Sequence, residues 1–129
     1  MGMPFEERFR LLLDSGQASE ESIAATRTAL HGVEAHYGIQ LTEASGAALA
    51  NHLAITMKRL LAGKTLVKVP AVVWQELRDY PEELALAESI VAELERALGI
   101  PITRDEVGFI AVHVCRIAEA VCKIQGGRS

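Results

Sequence analysis

The chain has 129 residues, half of them apolar and 23% charged, with only three Phe, two Tyr and one Trp. That length suits a single domain with its own core, and a core so poor in aromatics must be built from Leu, Ile, Val and Ala, which favours packed helices. A formal charge of −4, with thirteen basic residues scattered and no run of three, argues against direct nucleic-acid binding, which needs clustered cations on phosphate.

The first predicted helix runs from Pro4 to Leu13 and ends at "DSGQ". The second is capped by Ser19, carries Glu20 and Glu21 at its positive end, and keeps Ile23, Ala24, Leu30, Val33 and Tyr37 at helical spacing up to Gly38. The third is capped by Thr42 and ends at Gly63. "KTLVKV" before Pro70 reads as an extended connector, followed by a short helix around Trp74 up to Tyr80. Pro81 opens a helix that Gly99 and Pro101 close. The last helix starts at Thr103, with Glu106 three residues on as the second half of a capping box, and runs to about Ile124. Residues 125–129 read as a frayed tail, residues 19–124 as the body of one domain, and no internal repeat is visible by eye. No apolar stretch approaches the roughly 20 residues of a membrane span. The start "MGMPFEERFR" has no signal-peptide core and no serine or threonine placed for myristoylation. Cys115 and Cys122, seven apart on one helix, are separated by about 10 Å, too far for a disulfide. They read as inert core thiols of a reduced, cytoplasmic protein.

Chemistry narrows to histidine. There is no glycine-rich phosphate loop, nucleophile elbow, CxxC or HExxH, and neither a cofactor nor a metal is expected. His31 and His36 are five apart and point to different sides of their helix, which does not suit a zinc pair. His52 lies on the edge of the stripe Leu49, Leu53, Thr56 and Leu60, with Arg59 two turns on along the same edge. An arginine there offers a fork for phosphate oxygens. His113 sits likewise at the edge of the stripe Val107, Ile110, Val114, Ile117, Ala118 and Val121. By pattern alone, each is equally a half-buried histidine bonded to a carbonyl.

"NHLAITMKRLLAG", "VPAVVWQELRDYPEELALA" and "GIPITRDEVGFIAVHV", in that order, resemble the PTS regulation domain (PRD) of bacterial antiterminators and sugar-operon activators. The resemblance implies an all-α bundle of five to six helices that forms a homodimer. It also implies a phosphoacceptor role for His52 and His113, with Arg59 and the residue before His52, Asn51, as phosphate-supporting positions. The donors it implies are the phosphocarrier protein or the sugar permease's B component, and the output a separate transcriptional regulator. The protein would be a substrate of phosphotransfer and not an enzyme. Asn51 stands where the family commonly has an aspartate, which makes His113 the firmer site. The opening Met1 to Pro4 and the short tail favour an intact small protein. A fragment of a longer antiterminator, which would carry an RNA-binding module of about 60 residues, or a helical dimer that has lost phosphotransfer, are the other readings.

Overall fold

The computed structural model describes residues 5–64 and 68–126, with side chains up to Val121. Six helices are present among them: α1 (Glu6–Asp14), α2 (Glu20–Tyr37), α3 (Glu43–Leu61), α4 (Ala71–Leu77), α5 (Pro81–Leu98) and α6 (Arg104–Gly126). The all-α bundle expected from the sequence is observed. Residues 65–67 of the expected connector and 127–129 of the expected tail lie outside the described residues.

The helix ends follow their residues. Ser19 and Ser22 exchange side-chain-to-backbone hydrogen bonds at the start of α2, and Thr42 and Ser45 do the same at the start of α3. Such reciprocal caps satisfy two of the four backbone N–H groups that a helix start leaves open. Gly38 and Gly99 close α2 and α5 with φ of 65° and 67°, a left-handed backbone that glycine adopts without a Cβ penalty. After each glycine the chain turns back, and a glutamate from the finished helix pins the return. Glu34 Oε2 accepts from the Leu41 N–H at 2.7 Å, and Glu95 Oε2 accepts from the Ile102 N–H at 2.9 Å.

These two turns expose a repeat that reading the sequence by eye does not reveal. α2 and α5 are both 18 residues long, and Glu20 and Pro81, Glu43 and Arg104, Glu34 and Glu95, and Gly38 and Gly99 are all pairs 61 residues apart. The shared sequence is thin, Glu-x-x-x-Gly-Ile-x-(Leu/Ile)-Thr at 34–42 and again at 95–103. The burial pattern nevertheless repeats in the same register: Leu41 and Ile102, Leu49 and Ile110, Ala50 and Ala111, Leu53 and Val114, and Val33 and Leu94 are all in the core. The bundle is therefore a helical hairpin used twice. α2 packs on its counterpart α5, and α3 on its counterpart α6, which is the self-complementary contact pattern of two copies meeting about a two-fold axis.

The remaining elements brace the outside. α1 and the residue before it lay Phe5, Phe9 and Leu12 on the α2–α3 side of the core, with Phe5 so close to Gly46 that a Cβ there would lie 2.8 Å from the Phe5 ring. α4 packs on α6, where a Cβ on Gly108 would come within 3.0 Å of both Val69 and Trp74. The Arg104 guanidinium covers the Trp74 ring, and Asp105 Oδ1 accepts from the Val69 N–H.

Candidate functional site

His52 stands on α3 and His113 on α6, and they too are counterparts, 61 residues apart. Because α3 packs on α6, the fold brings them face to face, with ring centroids 5.2 Å apart and planes inclined by 39°. Phe109, one turn before His113, lies 5.6 Å from the His52 ring. Both histidines are half-buried, at the rim of the core stripes that the sequence assigns to them. His31 and His36 stay exposed on α2, His36 with its ring edge against Tyr37.

The two imidazoles differ in what holds them. His52 Nε2 lies 2.7 Å from Glu106 Oε1, and the Glu106 side chain is completely buried. Glu106 is thus not the capping residue its spacing from Thr103 predicts. The turn forms, with the Glu106 N–H donating to the Thr103 carbonyl, but the carboxylate leaves its own helix start and crosses to α3. Its second oxygen, Oε2, has no hydrogen-bond partner among the described residues. Sequence reasoning missed this residue because the capping signature offered a complete local explanation. The signal that finds it is spacing, since Glu106 lies seven residues, two turns, before His113 and therefore on the same face of α6.

His113 has no such partner among the described residues. Its counterpart of Glu106 is Ser45, which is occupied in capping α3 and lines the cleft of about 240 Å³ into which His113 opens, together with Leu49, Arg116 and Ile117. Burial, then the adjacent His52, then the Arg116 guanidinium push the His113 imidazole down from 6.5 to about 4. At neutral pH the ring is uncharged, and an uncharged imidazole keeps a nitrogen lone pair free to act as a nucleophile.

The other residues singled out from sequence are placed less closely. Asn51 turns away from His52 toward α1, where its Oδ1 accepts from Arg8 Nη1 at 3.1 Å. Arg8 also forks onto both oxygens of Glu43 through Nε. The carboxylate that reaches the His52 ring comes from across the bundle, from Glu106. Arg59 is exposed near the end of α3, about 10 Å along the axis from His52, and its side chain makes no ion pair among the described residues. Arg116, one turn after His113, was not singled out by sequence, yet it shares the His113 cleft. Cys115 is half-buried, and burial followed by Glu83 and Glu119 pushes its thiol up to about 11, which keeps it protonated and inert. The Cys122 side chain lies outside the described residues. No group of three or more His, Cys, Asp or Glu that could hold a metal ion occurs among the described residues, and no helix among them is long and apolar enough to cross a membrane.

Comparison with known proteins adds an independent line. Transcription antiterminator LicT of Bacillus subtilis (strain 168) is 26% identical over 113 residues, which cover 84% of this chain but only 38% of LicT. The crystal structure of GlcT CAT-PRDI superposes with a TM-score of 0.67 at 24% identity, over 85% of this chain and 63% of that one, and speaks for the fold. The chain thus spans well under half the length of the antiterminator it matches. The PRD domain family matches residues 27–116, a segment that begins in α2, contains both facing histidines and ends just past His113. The two-hairpin bundle, the motif histidines and this match agree, and the chain belongs to the PRD domain family.

Proposed function

We propose that this PRD domain is a regulatory phosphoacceptor, taking phosphate on His52 and His113 from a histidine-phosphorylated donor of the sugar phosphotransferase system. The observation that carries the reading is the 5.2 Å approach of two motif histidines from helices far apart in sequence. A phosphoryl group adds about two negative charges. On either ring it would sit at the α3–α6 seam, close to the other histidine and to the buried Glu106 carboxylate. The repulsion favours a different packing of the two hairpins, a local charge change that biases a two-state element. Arg116 beside His113, with Arg59 further along α3, supplies cations to compensate the incoming charge.

The donor would be the phosphocarrier protein or a sugar-permease B component. The output would be read by a second copy of the chain in a homodimer, or by a separate transcriptional regulator. In this reading the protein is a substrate of phosphotransfer and needs no cofactor of its own. The test is reconstitution with phosphoenolpyruvate, the general phosphotransferase proteins and a permease B component, read by intact mass and acid lability. Wild type should gain acid-labile phosphate, and His52→Ala and His113→Ala should each lose one site. An unmodified wild-type mass with every donor would sink the reading and leave a PRD-fold interaction module.

A further inference from the structure

The duplicated hairpin makes His52 and His113 equivalent by position, yet only His52 is given a carboxylate. We propose that Glu106 is a positioning residue that holds the His52 ring with its hydrogen on Nε2 and leaves Nδ1 as the nitrogen that takes phosphate. This deepens the phosphoacceptor reading above and rests on it for the identity of the donor, though not for the state of the ring.

The geometry supports it from both ends of the hydrogen bond. A carboxylate only accepts, and Glu106 Oε1 at 2.7 Å from Nε2 is at the length of a strong, charge-assisted bond. The buried Oε2 has no partner, so no other donor draws the carboxylate away from His52. The other ring nitrogen, Nδ1, has no hydrogen-bond partner among the described residues, so it is left for the incoming phosphate. The buried side-chain polar atoms without a partner among those residues are Tyr37 Oη and Glu106 Oε2. The His52 side chain is 22% exposed. A fixed partner on one imidazole nitrogen sets the tautomer and aims the other, as in catalytic and metal-binding histidines. The competing state, a protonated Glu106 donating to Nε2, would put the ring hydrogen on Nδ1. Neither nitrogen would then have a free lone pair, and His52 would be inert.

The transfer balances. The Nδ1 lone pair of His52 forms the new N–P bond as the donor's P–N bond breaks, and that electron pair returns to the donor's ring nitrogen. The donor enters as a phospho-imidazolium and leaves as neutral imidazole. His52 becomes the phospho-imidazolium, and its ring charge, carried at Nε2–H, faces the Glu106 carboxylate. In the other half the counterpart Ser45 brings no carboxylate, and its oxygen accepts from the Thr42 N–H in the helix cap.

The experiment uses the full chain with ¹⁵N-labelled histidine. Long-range ¹H–¹⁵N correlation near pH 7.5 reads the tautomer of wild-type His52 directly, without relying on any variant. The protein and Glu106→Gln are then treated with phosphoramidate, a small phosphoryl donor that releases ammonia and needs no partner protein, and the phosphorylated nitrogen is read from the same spectra. The expected result is Nε2–H and phosphate on Nδ1 in wild type. In Glu106→Gln the tautomers should mix and modification of His52 should slow by roughly tenfold or more, the usual cost of losing the partner that orients a functional imidazole, with His113 changing far less. Nδ1–H in wild type, phosphate on Nε2, or an unchanged product pattern in Glu106→Gln would overturn the proposal. Modification of Nδ1 by phosphoramidate, with no transfer from any phosphotransferase protein, would support the positioning role and sink the donor assignment.

Discussion

The two halves of the bundle present the same residue at the same position to opposite chemical settings. In the first hairpin His52 is bonded to a buried carboxylate reaching in from the second. In the second hairpin His113 shares a cleft with Ser45 and Arg116 and stays neutral at neutral pH chiefly because burial opposes its protonation. A duplicated scaffold fixes where the histidines meet. In the proposed reading, what each can do is decided by the residue at one further position, glutamate in one half and serine in the other.

The strongest way to break this comparison is to remove its members. The double variant His52→Ala/His113→Ala should accept no acid-labile phosphate at all, and any phosphate remaining by intact mass would point to a residue outside the pair. Next in size, either phosphate should hinder the second. Unit charges about 5 Å apart interact by ~3 kcal/mol at an effective dielectric of 20, so the second transfer should be slower by roughly tenfold or more, and less so at high salt. Arg116→Ala should slow transfer to His113 by a few-fold and leave His52 nearly unchanged, as site-resolved kinetics in the two single-histidine variants would show. Equal slowing at both sites would remove Arg116 from its place in the His113 half.

The smallest expected effect is on acid stability. The folded-state value of His113, about 4, lies below its unfolded value of about 6.5, so between them the unfolded chain binds a proton that the folded chain refuses. The stability linked to this group is present above pH 6.5 and is lost as pH falls toward 4. Melting temperature should therefore drop less steeply over that window in His113→Ala than in wild type, and identical slopes would contradict a neutral, desolvated His113.

Much of the fold was legible in the sequence, for local reasons. Ser19 and Thr42 mark helix starts, and Gly38 and Gly99 mark helix ends, because caps and left-handed turns are satisfied within a few residues. The core stripes of α3 and α6 followed from periodicity, and His52 and His113 were visible as polar residues on their edges. The duplication was hidden because packing preserves volume and apolarity more than identity. Val33 against Leu94 or Leu53 against Val114 satisfies the same buried position without resembling a repeat. Glu106 was hidden for the opposite reason. A Thr-x-x-Glu spacing at a helix start is the normal mark of a capping box, and only the α3–α6 packing reveals that the carboxylate serves His52. The Asn51 contact was hidden as well, since its partner Arg8 lies on a helix that the motif does not include.

The central claim, that the facing histidines form one coupled phosphoacceptor site, is tested most directly by following intact mass through a phosphorylation time course of the wild-type protein. The account predicts that a singly phosphorylated species accumulates first and that the doubly phosphorylated form follows markedly more slowly. Two phosphates arriving independently, in the proportions of two separate sites, would contradict the coupling, and an unchanged mass would contradict the site itself.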